Sequence, residues 1–453
     1  MTSPSLASLL GVLAATSLAA AQSTPPPAAA PATSPAPSAP PAPESAPAPN
    51  VYDALWTSDV DLPGTLSIYD DGFSPGDATT SAIKELDEIE APHDGRFLMS
   101  FTDPVFESIV GPLNSLYAAT GLRVGVAYTT IFQLGNAGVN GFSGDLDLMT
   151  AWTLLGRGTP NTGTFVFTGE DRFRQADQPA SRVGPEMGTL QPTTNGFNDR
   201  GWVVRDAYWL QRLFDNRLRI LVGRADLTDF VGAHRLQNLN NSFSNRWFSA
   251  NPVVASPGHG PAAGISFAPC DWFYVSAGLA NAYGTTTTIS VDTLDQGQFF
   301  YTAEFGLTPR IEGLGAGRYQ LMLWHMDERP DRGLPSDQGI SVILNQEIGD
   351  TLLAFARYGN SEATLTNVQN AVQVGLGLQN LFGGESLTGF AGSWGEPDRT
   401  GWRNETVFEL FHRFQLSRFS QFTLGGQMIF DPSNSPTDSS VVGVLTLRYR
   451  IAF

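Results

Sequence analysis

The chain has 453 residues, of which 15% are charged and 42% hydrophobic, with 47 glycines and 31 prolines. This apolar content excludes a wholly disordered chain, because it is sufficient for a core or a lipid-facing belt. The formal net charge of −18 argues against nucleic acid as a partner. The single cysteine, Cys270, excludes an internal disulfide. After the N-terminal stretch the sequence contains no run of about 18 apolar residues, so no membrane-spanning helix is predicted.

The first fifty residues have the composition of an export signal followed by a spacer. Residues 1–21 contain a weakly apolar stretch from Leu9 to Leu18 and end in three alanines, which is typical of a secretory signal peptide. The segment before that stretch lacks the usual Lys or Arg. Residues 22–50 are almost entirely Pro, Ala and Ser, and such a segment cannot bury apolar surface. We predict an exported protein with an extended, semi-rigid spacer after its signal peptide.

Residues 51–121 predict a periplasmic segment with short helices. Residues 81–91 (SAIKELDEIEA) form a candidate acidic helix, and residues 103–120 place apolar side chains at helical spacing. Asp103, which is followed by a proline, is the expected N-cap of the second helix, and Pro112 is expected to kink or split it. Because this helix leads directly into the first predicted strand, we expect it to pack on or inside the mouth of the β-structure.

From residue 122 onward the sequence consists of alternating runs of roughly nine to thirteen residues, a length that crosses a bilayer as a tilted strand. Apolar and polar residues alternate with the period of two that a strand presents to its two faces. These runs predict an all-β fold, a transmembrane antiparallel β-barrel of about sixteen strands over residues 122–453. The predicted strands are 122–133, 143–154, 163–171, 201–213, 217–225, 261–268, 272–281, 298–308, 317–326, 338–348, 351–360, 370–382, 385–395, 402–415, 419–430 and 441–453.

The connections between the predicted strands alternate between short and long. A barrel with tight turns at one end and long loops at the other produces this alternation, whereas a soluble Greek-key sandwich gives no reason for it. The short connections lie at 215–216, 269–271, 349–350, 383–384 and 416–418, and the longer ones at 172–200, 226–260, 282–297, 327–337 and 431–440.

The last thirteen residues (VVGVLTLRYRIAF) show the alternation most clearly. The face that runs from Val441 to Ile451 is mainly apolar, and the opposite face carries Arg448 and Arg450. In a soluble sandwich the apolar face would be the interior, whereas in an outer-membrane barrel it would meet lipid and the arginines would line a wet lumen. A strand that ends on Phe453 also resembles the C-terminal signal of bacterial outer-membrane proteins, which implies recognition by the barrel-assembly machinery.

Several stretches together resemble the carbohydrate-selective porin family of the outer membrane, of the glucose-porin type. They are 144–155 (GDLDLMTAWTLL) continued by 163–165 (GTF), 215–226 (DNRLRILVGRAD), 405–413 (ETVFELFHR) and 427–432 (QMIFDP). They follow the family's order and spacing, and the resemblance extends over residues 103–453. The chain departs from the family at the end of the fourth strand, where an acidic residue is usual and this sequence has Tyr208-Trp209-Leu210-Gln211.

This resemblance implies an integral protein of the bacterial outer membrane that passes small carbohydrates by facilitated diffusion through a water-filled lumen. In sixteen-stranded porins the loop after the fifth strand folds inward, so residues 226–260 are expected to narrow the lumen. The expected partners are small carbohydrates, outer-membrane lipid and the assembly machinery, and a homo-oligomer is compatible with the family. No enzymatic activity and no cofactor are expected. General diffusion without sugar selectivity is the alternative, followed by a structural envelope-anchoring barrel and an enzymatic barrel.

A sugar channel needs hydrogen-bonding side chains for hydroxyls and flat aromatic rings for the apolar sugar faces. Assigning the apolar face of each strand to lipid sends its charged residues inward, because a charge facing lipid costs about 2–4 kcal/mol near the midplane. Mixed charge signs favour neutral polar solutes, although Arg–carboxylate networks that merely rigidify a lumen fit them as well. The candidate pore-lining residues are Asp145, Asp147, Arg224, Glu304, Trp324, Arg357, Glu405, Glu409, Arg448 and Arg450 on strands, and Asp226, Arg235, Arg246 and Trp247 in the 226–260 loop.

Two further patterns argue against catalysis and metal binding. The five histidines show no metal-ligand spacing. Residues 72–76 (GFSPG) match G-x-S-x-G, but they lack a preceding apolar strand and a proline follows the serine, which is unsuited to a nucleophile elbow. The sequence therefore predicts no catalytic residues and no metal ligands.

Overall fold

The computed structural model describes residues 81–91, 93, 100–136, 138–382 and 385–453. They all fall within one compact unit, Asp59–Phe453. The predicted signal peptide (1–21), the spacer (22–50) and the GFSPG stretch (72–76) lie outside the described residues.

The chain folds as a closed antiparallel β-barrel in which sixteen long strands pair in chain order and the last pairs with the first. The strands are β1 (Leu122–Gly135), β2 (Asn140–Leu155), β3 (Gly163–Arg174), β4 (Gly201–Leu213), β5 (Leu218–Ala225), β6 (Gly260–Cys270), β7 (Phe273–Asn281), β8 (Phe299–Leu307), β9 (Arg310–Ile311), β10 (Gly315–Met326), β11 (Asp337–Ile348), β12 (Leu352–Ser361), β13 (Val368–Gln379), β14 (Leu387–Pro397), β15 (Glu405–Gln415), β16 (Ser420–Phe430) and β17 (Val441–Ala452). The two-residue β9 pairs only with the start of β10, inside the connection from β8. The predicted barrel of about sixteen strands is confirmed.

Alternation of side chains along each strand gives the barrel an apolar outside and a polar inside. In β17, Leu445 is 44% exposed on the outer face, whereas Thr446 and Arg448 on the inner face are 3% and 2% exposed. Exposed apolar side chains such as Phe305 and Val374 continue the outer surface around the barrel. A contiguous apolar surface of this extent needs a non-aqueous environment. This arrangement reverses that of a soluble sandwich.

The two ends of the barrel differ in the length of their connections, as predicted. The turn end, where β1 begins and β17 stops, carries short connections such as 214–217 and 416–419. The loop end carries long connections such as 175–200, which contains the short helix α3 (Val183–Met187), and 226–259.

The C-terminal residue helps to close the barrel at the turn end. The backbone of Phe453 exchanges two hydrogen bonds with Val126 of β1, at 2.8 and 3.0 Å. From there β1 and β17 pair in register, beginning with Ala127 opposite Ala452. The closure therefore uses the last residue of the chain.

Several strand boundaries differ from the prediction by a few residues, and the end of β13 has a clear local cause. β13 was expected to continue to residue 382, but it ends at Gln379. Asn380 adopts a φ of 61°, a left-handed conformation that Asn tolerates and through which a strand does not continue. The turn therefore begins before the predicted 383–384 pair, which lies outside the described residues.

The predicted acidic helix forms α1 (Ala82–Glu90), which lies inside the barrel at the turn end. Ser81 caps it, because its hydroxyl accepts a hydrogen bond from the Lys84 N–H at 3.3 Å. Leu86 is fully buried, and a Cβ on Gly125 of β1 would lie 2.6 Å from its Cδ2. The missing side chain at Gly125 lets α1 approach the inner wall closely.

The helix α2 (Asp103–Thr120) lies at the rim of the turn end. Phe106 packs against Phe419 and Phe453, with ring centroids 5.3 and 5.1 Å apart. At the other end of α2, the indole N–H of Trp152 donates to the carbonyl of Thr120 at 3.1 Å. α2 therefore packs on the mouth rather than inside it.

Two details of α2 differ from the prediction. The N-cap is Thr102 rather than Asp103, because a 3-10 turn runs directly into the helix and Thr102 already has helical dihedral angles. Pro112 lies inside α2 without splitting it, since the carbonyl that loses its N–H partner belongs to an exposed residue, Ser108. Within the described ranges, the helices lack the combination of length and hydropathy that a membrane crossing requires.

The 226–259 loop folds into the lumen from the loop end. It contains the short helix α4 (Arg246–Ser249), capped by Asn245, whose side-chain oxygen accepts the Trp247 N–H at 2.9 Å. Trp247 and Phe243 are fully buried, and the Phe243 ring meets that of Phe411 edge-on at 4.9 Å. This apolar contact fixes the loop against β12–β15, and we call 226–259 the inward loop.

Candidate functional site

Buried carboxylates on the barrel wall bind the backbone of the inward loop. Glu304 accepts the Gly232 N–H at 2.6 Å. Glu409 accepts the N–H groups of Ser244 and Asn245 at 2.8 and 3.0 Å. Each bond satisfies a buried donor that would otherwise cost about 1–3 kcal/mol. These carboxylates therefore hold the loop in place.

Glu405 joins the inward loop to the 175–200 loop. Its carboxylate accepts the indole N–H of Trp247 at 3.0 Å and the backbone N–H of Leu190 at 2.7 Å. A third bond, from the Ser433 N–H at 3.3 Å, reaches the β16–β17 connection. One buried side chain thus sets the relative position of three loops.

Two buried arginines bind carbonyl groups of the inward loop. Arg357 donates to the carbonyl of Trp247 at 2.9 Å and to the side chain of Gln237 at 2.9 Å. Arg448 donates to the carbonyl of Ser242 at 2.7 Å. Hydrogen bonds from a charged donor are stronger than those between neutral groups. The arginines thus bind carbonyl groups of the inward loop, whereas the carboxylates bind its N–H groups.

His234 fixes the inward loop in its neutral form. Its ring stacks on Phe355 with centroids 3.9 Å apart. One ring nitrogen donates to the carbonyl of Phe248 at 2.7 Å, and the other accepts the Leu236 N–H at 3.2 Å. Burial, helped by the positive charge of Arg357, holds the pKa of His234 well below its usual range. The imidazole therefore stays uncharged at neutral pH.

A cavity of about 300 Å³ lies between the inward loop and the loop end, and we call it the loop-end cavity. Its lining carries equal numbers of positive and negative side chains together with several amides. The charged members are Arg172, Arg200, Arg205, Arg246, Glu85, Glu170, Asp226 and Asp229, and the amides are Asn195, Asn198, Gln237, Asn238, Asn240 and Asn251.

Glu170 of β3 lies at the centre of the charges in the loop-end cavity. Arg172 reaches its carboxylate at 2.9 Å and Arg205 at 3.7 Å. Arg200 also donates a hydrogen bond to it. Arg172 in turn pairs with Asp145 at 3.1 Å. The wall of the cavity is therefore an interlocked Arg–carboxylate network with both hydrogen-bond donors and acceptors.

A β-bulge places Arg205 in this network. Thr168 pairs with Asp206 and the next residue, Gly169, pairs with Val204, so Arg205 is the extra residue on β4. Bulges re-aim a side chain in this way. Arg205 then binds Asp229 of the inward loop at 2.8 Å.

In this network the ring of His259 accepts a hydrogen bond from Arg205. The Arg205 Nε–H donates to its Nε2 at 3.2 Å. Burial, followed by the positive charge of Arg205, holds the pKa of His259 well below its usual range. A neutral His259 adds no charge to the cavity.

Two groups of side chains bring potential metal-ligand atoms within 4.8 Å of one another. In each group an arginine already binds part of the set: Arg205 binds Asp229 in one, and Arg172 binds Asp145 and Glu170 in the other. A guanidinium supplies the positive charge that a divalent cation would bring, and it repels that cation. Both groups therefore fit an Arg–carboxylate network better than a metal centre. The groups are Asp206, Asp229 and His259, and Asp145, Asp147 and Glu170.

A second cavity, of about 280 Å³, opens between the inward loop and the turn end, and we call it the turn-end cavity. Its lining is predominantly positive. One member, Arg235, pairs with Glu347 at 2.7 Å. The charged lining residues are Lys84, Arg235, Arg413, Arg418, Arg450 and Glu88.

The structure places the predicted pore-lining residues in three settings. Asp226 and Arg246 line the loop-end cavity, and Arg235 and Arg450 line the turn-end cavity. A second set holds the loops from the wall: Glu304, Arg357, Glu405, Glu409 and Arg448.

The remaining predicted residues are buried away from the lining of both cavities. Arg224 donates to carbonyls of the 282–298 loop, including that of Thr288 at 2.6 Å. Trp247 is fully buried and Trp324 is 4% exposed, so neither presents a ring face to a solute in this conformation. Asp145 supports Arg172, and Asp147 is buried beside it.

Sequence reasoning missed most of the residues that line the loop-end cavity. Glu170 and Arg172 alternate on β3, but the predicted strand ended at residue 171, so Arg172 counted as loop. Arg200 lies in the connection before β4, and Arg205 depends on a bulge that alternation does not show. The available signal was the alternation of Glu170 and Arg172, which would have placed Arg172 on the inner face if β3 had been predicted to extend beyond residue 171.

Comparisons with known proteins agree with this architecture. No family model matches the sequence. Porin AaxA of Chlamydia caviae is 21% identical over 231 residues, which cover 51% of this chain and 50% of that porin. The match thus spans about half the length of this relative.

The fold is similar to that of a solved β-barrel protein. A high-pH structure of OprB from Pseudomonas putida superimposes with a TM-score of 0.63 at 16% identity, covering 76% of this chain and 97% of that chain. A low-pH structure of OprB gives a TM-score of 0.49 at 15% identity, covering 80% and 100%. The chain is a porin-like β-barrel. Porins are channels, in agreement with the expectation that this chain is not an enzyme.

Proposed function

We propose that the chain is an outer-membrane channel that passes small carbohydrates by facilitated diffusion, without energy coupling. The observation that carries the proposal is the balanced lining of the loop-end cavity, in which four arginines face four carboxylates beside several amides. A balanced lining attracts neither anions nor cations strongly, and its fixed donors and acceptors suit a neutral solute rich in hydroxyls. The resemblance to carbohydrate-selective porins points to the same solute class.

The size of the cavity supports a small solute. About 300 Å³ is at the lower end of the range of roughly 300–1,000 Å³ that small-molecule sites occupy. The apolar outer surface supports an integral position in the membrane, with lipid as its neighbour. We place the turn end on the periplasmic side, because barrels of this class have short periplasmic turns and longer outer loops.

The test is planar-bilayer conductance of the refolded protein, titrated with glucose and with maltose. A saturable, concentration-dependent block would establish both a channel and a site. Substituting Glu170→Gln should weaken the block, because Glu170 organises three of the arginines around the cavity. Arg217→Gln is the matched control, since Arg217 forms an exposed ion pair with Asp271 at the turn end, away from the loop-end cavity.

Three outcomes separate the alternatives. Block that is lost in Glu170→Gln and kept in Arg217→Gln supports the carbohydrate channel. Stable channels that no sugar blocks would favour a general diffusion porin. Folded protein that forms no channels, both as the intact chain and after deletion of residues 81–91, would exclude transport and favour an envelope-anchoring role.

A further inference from the structure

The helix α1 occupies the turn end of the lumen between the barrel wall and the inward loop. On the wall side, Leu86 is fully buried against Gly125 of β1. On the loop side, Asn238 and Asn241 donate hydrogen bonds to two carboxylates of α1 at 3.3 and 2.6 Å. The helix thus bridges space that the inward loop leaves unfilled.

Ion pairs hold α1 to the wall. Glu85 pairs with Arg450 of β17 at 3.2 Å, with both side chains less than a tenth exposed. Arg123 of β1 pairs with Asp87 and Glu90 at 2.7 and 2.9 Å. Removing one partner of a buried pair leaves a desolvated charge, so the Glu85–Arg450 contact defines a specific docked position.

The Glu85–Arg450 contact lies on the boundary between the two cavities. Glu85 lines the loop-end cavity, whereas Arg450 lines the turn-end cavity together with Lys84 and Glu88 of α1. A solute that moves from one cavity to the other meets α1 and the loop asparagines bound to it. The docked helix therefore obstructs the lumen.

The barrel does not depend on α1 for its closure. The β1–β17 backbone pairing closes the sheet. The hydrogen bonds and ion pairs named above, which join α1 to the wall and to the inward loop, are made between side chains. Water can replace these bonds if the helix leaves, whereas a strand cannot leave without opening the sheet.

We propose that α1 is an intrachain plug that closes the lumen when docked, and that solutes pass after it undocks. The inference rests on the proposed channel function and adds its regulation. A docked state favoured by a few kcal/mol leaves the open state populated at roughly 0.1–10%. The intact chain is then mostly closed, with brief openings.

Two variants test the plug by conductance in planar bilayers. Deletion of residues 81–91 removes it, and Gly125→Val displaces it, because a Cβ at this position would lie 2.6 Å from Leu86. Both should raise the time-averaged conductance at least about tenfold, as expected when a minor open state becomes the main one. Gly426→Val is the matched control, since the nearest atom to a Cβ there is 3.9 Å away.

A chemical readout reports docking without transport. In a Cys270→Ser background, a cysteine introduced by Leu86→Cys should react slowly with a maleimide, because Leu86 is fully buried. Adding Gly125→Val should speed the reaction. Equal labelling with and without Gly125→Val, or equal conductance of the intact and deleted chains, would overturn the plug and leave the channel intact. A folded deletion variant that forms no channels would instead overturn the channel function itself.

Discussion

The carboxylate of Glu409 accepts two hydrogen bonds from Ser244, one from its backbone N–H and one from its hydroxyl, each 2.8 Å long. A third bond comes from the Asn245 N–H at 3.0 Å. The residues are far apart in sequence, yet this contact fixes the middle of the inward loop against β15. The width of the open lumen is therefore determined by hydrogen bonds between the wall and the inward loop as much as by the number of strands.

Glu409→Ala should release the inward loop while the barrel stays closed. The change leaves two backbone N–H groups without their buried acceptor, so we expect the docked loop to lose about 3 kcal/mol. Limited trypsin digestion should then cleave the loop at Arg235 or Arg246. Leu410→Ala, on the outer face of the same strand, is the control and should stay resistant. Equal resistance of both variants would contradict the anchoring role.

Ion selectivity should respond in opposite directions to two substitutions in the loop-end cavity. Glu170→Gln leaves the arginines in excess and should shift the channel toward anions. Arg200→Gln leaves the carboxylates in excess and should shift it toward cations. Reversal potentials in a salt gradient measure the shift, which should amount to several millivolts at low salt and shrink at high salt because of screening. Shifts of the same sign would show that the cavity does not control permeation.

The barrel was predictable because its determinants are local. Side chains alternate along each strand, and each strand pairs with its neighbours in the chain, so alternation and connection length define the sheet. Arg448 and Arg450 follow from this rule: Leu447 and Tyr449 beside them face outward, and the two arginines are inside. The same rule places the side chains of Glu405 and Glu409 on the inner face of the barrel.

The site was harder to predict because its determinants are distant in sequence. The spacing of SAIKELDEIEA indicates a helix, but its place in the lumen depends on Arg450 and Asn238, which no local pattern connects to Glu85. The loop-end cavity depends on Arg205, whose direction follows from a bulge. Alternation shows which face a residue occupies, and only the folded loops decide whether it meets a solute or another side chain.

Acidification should loosen the inward loop through His234. The released imidazole has an ordinary pKa near 6.5, whereas burial holds the docked one well below it. Between those two values the released loop binds a proton that the docked loop does not, so docking weakens as the pH falls. The protection factors of the inward-loop amides, which correct exchange rates for their intrinsic pH dependence, should therefore be smaller at pH 5 than at pH 7.5.

A variant isolates the contribution of His234 to this pH dependence. His234→Gln cannot gain a charge, so the protection factors of its inward loop should change less between the two pH values. His325→Gln, on an exposed residue of β10, should retain the dependence of the unchanged chain. Larger protection factors of the unchanged chain at pH 5 than at pH 7.5 would contradict the assigned sign.

The plug should respond to pH in the opposite sense through Glu88. Burial and the neighbouring Glu85 raise its pKa to about 6, against the opposing charges of Lys84, Arg413 and Arg450. Between its ordinary value of 4.5 and about 6 the docked helix binds the extra proton, so docking is strongest at low pH and weakens as the pH rises. Conductance should therefore increase severalfold from pH 4.5 to pH 7 and level off above it.

Glu88→Gln should abolish most of this rise, because the amide stays neutral over the whole range and still accepts the hydrogen bond from Asn241. Its conductance should remain near the low-pH level of the unchanged chain. Glu107→Gln on the exposed helix α2 is the control and should keep the full pH response.

His234 loosens the inward loop at low pH, and Glu88 releases α1 at high pH. The double variant His234→Gln/Glu88→Gln should therefore show the flattest profile of conductance against pH. A profile as steep as that of the unchanged chain would place the titrating group elsewhere.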